Sequence, residues 1–336
     1  MHMADALVSP PVATGMAVAS LAVGAYSIFK IKKKINLKIY RLWVLWVLLY
    51  LQHKMVNFTI PGTGSSGHLC GGLLLSALIG PYGGFLSMMA ILLLQCLLFA
   101  DGGLMAYGCN VWNMAFYACF FGYFCIYKPI LGKNPSKKKI LIASILGSVL
   151  SLQLGAFSVT LETLISGVTE LPFLTFLSFM QPIHLAIGFV EGLITSAVLI
   201  FVYNTRPEML NLNEKSNEFS FKKVIAILSI VTVLIGGGIS LLASSSPDGL
   251  EWSMENVAGS TELDSKGSAY DKASEIQEKT TLLPDYSISN SNNEILGTSF
   301  SGVLGSVLVA VILIGGSLIF RFYKKGAKNE QIRKSA

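Results

Sequence analysis

The sequence contains few charged residues. Only 13% of its 336 residues are Asp, Glu, Lys or Arg, whereas 52% are apolar, and its mean hydropathy is +0.61. Soluble domains carry about 25% charged residues, so a soluble enzyme and a nucleic-acid-binding protein are both excluded. The formal net charge of +6 is expected to reflect charged loops that set membrane orientation, and it requires no nucleic-acid partner.

Several motifs are absent as well. The five cysteines form no C-x-x-C pair and lie in apolar stretches, which excludes a disulfide-stapled domain and predicts buried side chains. No G-x-x-x-x-G-K-[ST] motif occurs, so the chain is not expected to hydrolyse ATP by itself. No Lys or Arg precedes the first apolar run, so no signal peptide is expected and the mature chain should begin at Met1.

Long apolar runs dominate the sequence, and several exceed the ~18 residues that can cross a hydrocarbon core of about 30 Å as a helix. Of the 25 Lys and Arg residues, 21 lie in the clusters 30–41, 128–139, 206–223 and 321–334. Basic clusters mark cytoplasmic loops. Placing all four inside requires nine crossings, with the N-terminus outside and the C-terminus inside. The predicted crossings are 11–29, 42–58, 69–79, 83–100, 104–127, 140–161, 183–203, 224–246 and 300–320.

The predicted fold class is therefore an all-α integral membrane protein of the plasma membrane, surrounded by lipid. We expect a seven-helix domain (1–203), a cytoplasmic linker (204–221) and a two-helix C-terminal domain (222–336). The extracellular segment 247–295 carries ten acidic residues and three lysines, a net charge of −7, with few large apolar side chains. This composition predicts a segment that is at most lightly ordered.

The outer loop 57–72 contains overlapping short motifs. Gly62–Gly67 matches G-x-G-x-x-G, but a dinucleotide fingerprint requires a preceding strand and a βαβ unit. Gly64–Gly67 also matches the G-x-S-G of intramembrane serine proteases, with Ser66 as the nucleophile. Such a site needs a histidine base, and His184 lies on the same side of the predicted topology. An intramembrane serine protease that uses Ser66 and His184 is therefore an alternative.

A metal site is the other interpretation of this loop. His2 is too bulky for usual methionine removal, so Met1 should keep a free α-amine at the outer face. This amine, the His2 backbone nitrogen and the His2 imidazole can close five- and six-membered chelate rings, and His68 can add a fourth nitrogen. Such a set suits Ni²⁺ or Cu²⁺, and Co²⁺ also accepts imidazole-rich sites; the amine must lose its proton to bind. A frayed terminus and a metal-binding sensor without transport are alternatives.

Four further ionisable residues are candidates for a role near this site. His53, beside Lys54, is expected at a membrane interface. His184 and Glu191 share a helix face and form either a buried structural pair or a support for the outer site. Asp101 either attracts cations or serves as a turn residue.

Ordered motifs over residues 1–203 resemble the CbiM family of cobalt/nickel transport proteins. The matching residues are Met1-His2-Met3-Ala4-Asp5, Ser9-Pro10, Pro61-Gly62, Ser66-Gly67-His68-Leu69, Gly80-Pro81, Gln95, Phe99-Ala100-Asp101-Gly102-Gly103, Gly108-Cys109-Asn110, Pro182-Ile183-His184-Leu185 and Glu191-Gly192-Leu193. The stretch Ser246-Pro-Asp-Gly-Leu-Glu251 resembles the small two-helix CbiN/NikN component, here fused to the first domain.

The resemblance implies import of Co²⁺ or Ni²⁺ as a transported substrate, without an intrinsic cofactor and without enzymatic chemistry in this chain. It implies that Met1, His2 and His68 hold the metal. It also implies separate partners at the cytoplasmic face, a CbiQ-like transmembrane coupling subunit and CbiO-like ATPase subunits of an energy-coupling factor importer. His53-Lys54 departs from the small or uncharged residues usual in the family, which leaves the metal preference open.

Overall fold

The fold, described from a computed structural model, is a bundle of long apolar helices. The structure describes residues 1–32, 57–205, 207–210, 244 and 246–286. Five helices in this part of the chain are long and apolar enough to cross a membrane, so the protein is a multi-pass membrane protein. The helices are α1 (Pro10–Lys32), α2 (Gly72–Ile79), α3 (Pro81–Phe99), α4 (Tyr107–Leu131), α5 (Lys137–Ser166), α6 (Phe173–Thr205), α7 (Gly249–Ala258) and α8 (Ser268–Thr280). The remaining elements are antiparallel strands β1 (Phe58–Ile60) and β2 (Ser65–Gly67) and 3₁₀ turns at Asp5–Leu7, Pro207–Leu210 and Pro284–Tyr286.

Most predicted crossings that fall on described residues correspond to a long helix. Helices α1, α3, α4 and α5 coincide, apart from a few terminal residues, with the predicted crossings 11–29, 83–100, 104–127 and 140–161. The crossing predicted at 183–203 is α6, which begins earlier, at Phe173, and runs through Pro182. Beside this proline the side-chain amides of Gln153 and Gln181 each donate to the other's backbone carbonyl, at 2.8 and 3.2 Å. These bonds hold α6 against α5 at the proline.

The segment predicted to cross the membrane at 69–79 contains a shorter helix than expected. Helix α2 has only eight residues, which span about 12 Å, less than half of a hydrocarbon core of about 30 Å. It starts late because Gly71 adopts a left-handed conformation (φ +65°) that a helix cannot continue through. The following break is as expected: Gly80 has φ +86°, and Pro81 is the first residue of α3.

The predicted crossings at 42–58, 224–246 and 300–320 and the predicted linker 204–221 lie largely outside the described residues. The end of the first of these is described and differs from the prediction, because Phe58 begins strand β1. Among the cysteines, four are buried as expected, whereas Cys125 is exposed on α4.

Helices α5 and α6 approach closely through small residues of α6. A Cβ atom built on Gly188 would lie 2.9 Å from the Cα of Val149, and one built on Gly192 would lie 2.5 Å from the Cα of Ile145. The two glycines form a G-x-x-x-G pair, which lets helix backbones meet inside a membrane. The outward faces of these helices expose large apolar side chains, as a lipid-facing surface requires. These residues include Leu146, Leu150, Phe157, Leu185, Phe189 and Leu193.

One end of the bundle is basic. The α4–α5 connection lies there, and Lys139 donates from Nζ to the carbonyl of Asn134 at 2.8 Å. Near the end of α1, Tyr26 contacts Tyr82 with 5.9 Å between the ring centroids, and Tyr82 also contacts Phe124 of α4. The described parts of clusters 30–41 and 128–139 therefore lie at the same end, and the candidate functional residues lie at the other.

The expectation of a lightly ordered segment after residue 247 is wrong for its described part. Asp248 and Glu251 form a capping box that starts α7, and Leu250 and Met254 of this helix are buried. Helix α8 is fixed by Gln277, whose side-chain nitrogen donates to backbone carbonyls of α3 and of the loop that follows it. The composition is polar and Ile276 and Leu282 are exposed, but Leu250, Met254 and Leu283 are buried, and polar side chains bind backbone carbonyls of the bundle.

Candidate metal centre

The N-terminal segment is threaded into the bundle. The backbone N–H of Met3 donates to Asn110 Oδ1 at 2.7 Å, and its carbonyl accepts from Asn110 Nδ2 at 3.1 Å and from the backbone N–H of Gly103 at 2.9 Å. Met3 is fully buried, and Met1 is only 5% exposed. This clamp fixes the direction of the first two residues and places the Met1 amino group inside the protein.

The loop that carries His68 is held from both sides. Strands β1 and β2 pair antiparallel, with Phe58 opposite Gly67, so β2 leads directly into His68. After His68 the chain is anchored by Glu191 of α6, whose carboxylate accepts from the N–H groups of Cys70 and Gly71 at 2.7 and 2.9 Å. The sequence left open whether Glu191 forms a structural pair with His184 or supports the outer site. In the structure it supports the His68 loop.

The three predicted ligand residues lie together. The Met1 amino nitrogen is 3.4 Å from His68 Nε2, and the imidazole rings of His2 and His68 stack with centroids 4.9 Å apart. Two donor atoms that each lie about 2.1 Å from one metal ion are separated by about 3.0 Å at right angles and about 4.2 Å in trans. The amine and His68 are therefore already spaced for a shared ion.

His2 is oriented by Asp101, with 2.8 Å between His2 Nδ1 and Asp101 Oδ1. Gln95 and Tyr286 both donate to the other carboxylate oxygen of Asp101. Burial by itself raises the pKa of Asp101, but the adjacent His2 imidazole, the charge of His68 and the hydrogen bond from Tyr286 hold it below its ordinary value. A six-membered chelate ring with the His2 backbone nitrogen must use Nδ1, so chelation by the predicted rings requires His2 to leave Asp101.

Asp248 is a functional candidate that the sequence interpretation missed. Its Oδ2 forms an ion pair with the Met1 amino group and lies 3.7 Å from His68 Nε2. Burial raises the pKa of Asp248, but the Met1 ammonium and His68 outweigh that effect and hold it well below its ordinary value. A D-x-x-E pattern such as Asp248 to Glu251 is typical of a helix start, but no sequence signal identifies what faces the Asp248 carboxylate. Single ligand atoms of His2, His68 and Asp248 all lie within 4.8 Å of one another.

Met1, His68 and Asp248 border a small cavity of about 10 Å³, whose other lining residues are Gly67, Cys70, Met114, Leu152, His184, Ile187 and Gly249. About one water-sized sphere fits into such a volume. His184 lies at its wall, fully buried, with Nδ1 2.8 Å from the Met180 carbonyl. The cavity therefore has the size and the donor groups for a single ion.

The structure does not support the protease alternative. The Ser66 hydroxyl donates to the backbone carbonyls of Ser246 and Pro247, at 2.8 and 3.3 Å. Among the described residues, no hydrogen bond joins it to His184. Ser66 thus ties the His68 loop to the segment before α7. His53 lies outside the described residues.

Comparisons with known proteins identify the family. Residues 2–209 match the family described as CbiM, the cobalt uptake substrate-specific transmembrane region, and residues 222–322 match the PDGLE domain. A putative fused nickel transport protein NikMN of Archaeoglobus fulgidus is 31% identical over 312 residues, which cover 93% of this chain and 96% of that protein. A probable fused nickel transport protein LarMN of Lactiplantibacillus plantarum is 32% identical over 76% of this chain and 79% of that protein.

A solved structure shares part of the fold. The crystal structure of a truncated transition metal transporter aligns with a TM-score of 0.54 and 27% identity, and the alignment covers 61% of this chain and 99% of that one.

Proposed function

The chain belongs to the CbiM family of cobalt-uptake transmembrane proteins, and we propose that it captures Co²⁺ or Ni²⁺ at the outer face of the cell membrane for import. In this role it is the substrate-binding component of an ATP-driven energy-coupling factor transporter. The observation that carries the proposal is the convergence of the Met1 amine and the His2 and His68 imidazoles in one buried site. Nitrogen donors of this kind are preferred by divalent ions late in the first transition row.

The orientation follows from the charges at the two ends of the bundle. The described basic residues of clusters 30–41 and 128–139 lie at the end opposite the candidate site. Since Lys and Arg accumulate on the cytoplasmic side, the proposed site faces outward. The proposed topology keeps seven crossings in residues 1–203, with the short helix α2 forming the third, and two in residues 222–336. The N-terminus is outside and the C-terminus inside.

Transport through this chain requires an energy source, and we propose that other subunits supply it by hydrolysing ATP. The family context is an ATP-driven complex, and this sequence has no Walker-type phosphate-binding motif. A transmembrane coupling subunit resembling CbiQ and ATPase subunits resembling CbiO would dock at the basic, cytoplasmic end. The bound ion would then be released inward when the partners reorient the bundle.

The test is a titration of the purified chain with Ni²⁺ and Co²⁺. His68→Ala and a four-residue N-terminal extension should each weaken binding by more than about 100-fold, because changes outside the ligand shell alone cost about 10–100-fold. The extension preserves every side chain and moves only the amine, and a C-terminal extension of equal length is its control. Equal affinity in all four proteins would refute the site.

Uptake separates transport from sensing. Cells that express the chain with its coupling and ATPase subunits should accumulate the metal, and His68→Ala should abolish the accumulation. Tight binding without uptake in the complete complex would instead identify a sensor.

A further inference from the structure

The C-terminal domain reaches into the metal centre. Asp248, at the start of α7, contacts the Met1 amine through Oδ2, and the same oxygen lies 3.7 Å from His68 Nε2. We propose that Asp248 is a metal ligand supplied by the C-terminal domain, so that the complete site combines nitrogen donors of the first domain with one carboxylate oxygen of the second. This inference rests on the proposed function and adds a residue to its site.

The two oxygens of Asp248 have separate roles. Oδ1 accepts from the backbone N–H groups of Leu250 and Glu251, at 2.7 and 3.0 Å, and so caps α7. This cap points Oδ2 toward the Met1 amine. The separation of 3.7 Å between Oδ2 and His68 Nε2 falls between the values of about 3.0 and about 4.2 Å expected for two ligands of one ion. The carboxylate can therefore join the metal without giving up its cap.

Charge also favours a carboxylate at this position. The side chains of His68 and Asp248 are only 11% and 15% exposed. An ion buried at such a place loses most of its hydration and needs compensating charge. Imidazoles and an amine are neutral when they bind a metal, and the His2 backbone nitrogen offsets only one of the two positive charges when it binds without its proton, so Asp248 supplies the second negative charge.

Residues around Asp248 hold it in place relative to the His68 loop. Ser66 forms a parallel β-bridge with Asp248, and its N–H donates to the Pro247 carbonyl at 2.8 Å. One turn into α7, Trp252 donates from its indole to the carbonyl of Thr63 at 2.9 Å. Strand β2, which leads into His68, and the segment that presents Asp248 are therefore held together.

Gly249 makes the close approach possible. A Cβ built on Gly249 would lie 2.9 Å from Ile187 Cδ1 and 3.1 Å from His184 Cε1. The next residue, Leu250, is 1% exposed and anchors α7, and Glu251 closes the capping box by accepting from the Asp248 N–H. Each residue of the Pro-Asp-Gly-Leu-Glu stretch thus serves to bring one carboxylate to the metal centre.

The test is Asp248→Asn in the full chain. Asparagine is as good an N-cap as aspartate, so α7 should remain folded, which Trp252 fluorescence and the thermal midpoint would verify. We expect Ni²⁺ and Co²⁺ to bind more than about 100-fold more weakly, because changes outside the ligand shell alone cost about 10–100-fold, with a changed ligand-field spectrum and one oxygen ligand lost in X-ray absorption. Asp271→Asn, at an exposed position of α8, is the matched control and should behave like the parent.

The outcomes separate the two proposals. If Asp248→Asn binds with the parent's affinity and spectrum while His68→Ala does not bind, the Asp248 proposal is overturned and the proposed function stands. A loss of affinity with an unchanged metal spectrum would also overturn it, because the carboxylate would then act only through its charge. If the parent itself binds neither ion, the proposed function fails first.

Discussion

Glu191 offers a strong test of how the His68 loop is supported. It is 1% exposed, and its carboxylate accepts from the N–H groups of Cys70 and Gly71 at 2.7 and 2.9 Å. In Glu191→Gln one oxygen remains, and an NH₂ group replaces the other and faces an N–H donor. Hydrogen bonds to charged groups contribute about 1.5–3 kcal/mol each, and a buried donor without a partner costs about 1–3 kcal/mol. The substitution should therefore destabilise the docked loop by about 2–4 kcal/mol.

The effect on metal binding follows from the population of the docked loop. The apparent dissociation constant rises in proportion as the competent conformation becomes less populated, and each ~1.4 kcal/mol corresponds to tenfold. A cost of about 2–4 kcal/mol therefore lowers Ni²⁺ affinity by up to about 30–700-fold, measured by calorimetry on the purified chain. Glu170→Gln makes the same chemical change at an exposed position and should leave binding unchanged. Parent-like affinity in Glu191→Gln would show that the loop does not depend on this carboxylate.

Three further predictions concern the surroundings of the site. In a crystal structure of the Ni²⁺-loaded protein, the separation of 2.8 Å between His2 Nδ1 and Asp101 Oδ1 should open beyond hydrogen-bonding distance; a retained contact would exclude chelation through Nδ1. Gly249→Ala should lower stability by about 1–3 kcal/mol, seen in thermal melts, and weaken Ni²⁺ binding, because its Cβ would force the buried side chains of Ile187 and His184 to shift; an unchanged melting midpoint would contradict the packing argument. Asn110→Ala should release Met3, so that an impermeant amine reagent labels the N-terminus faster, whereas parent-like labelling would show that the clamp is dispensable.

The proximity of the predicted ligands could be inferred from chemistry, whereas the supporting contacts could not. Met1 and His2 form a chelate by their covalent connection alone, and His68 lies in a small-residue loop predicted on the same face. Asp248 carried only a helix-start signal, since an N-cap pattern specifies the following helix and leaves the neighbours of the side chain undefined. Its role depends on a contact with Met1 across 247 positions of sequence.

The errors in the fold have related causes. The apolar run 69–79 resembles a membrane span in composition, but Gly71 breaks it and its backbone N–H groups bind a carboxylate of α6. The segment after residue 247 is polar on average, but this average does not show that Leu250 is buried in the bundle and that Trp252 donates to the Thr63 carbonyl. Hydropathy identified the long helices because each contains so many apolar residues that a single glycine, proline or polar residue does not change its average.

The wide separation of the ligands along the chain has a consequence for biosynthesis. Met1 emerges first from the ribosome, whereas Asp248 follows 247 residues later, at a synthesis rate of about 5–20 residues per second. His68 precedes Asp248 by 180 residues, so for roughly 9–36 seconds the nascent chain carries the amine and both imidazoles without their carboxylate. If Asp248 is a ligand, the high-affinity site is completed only when the outer segment has been translocated and folded. Metal loading would then report that the two domains are both present and correctly inserted.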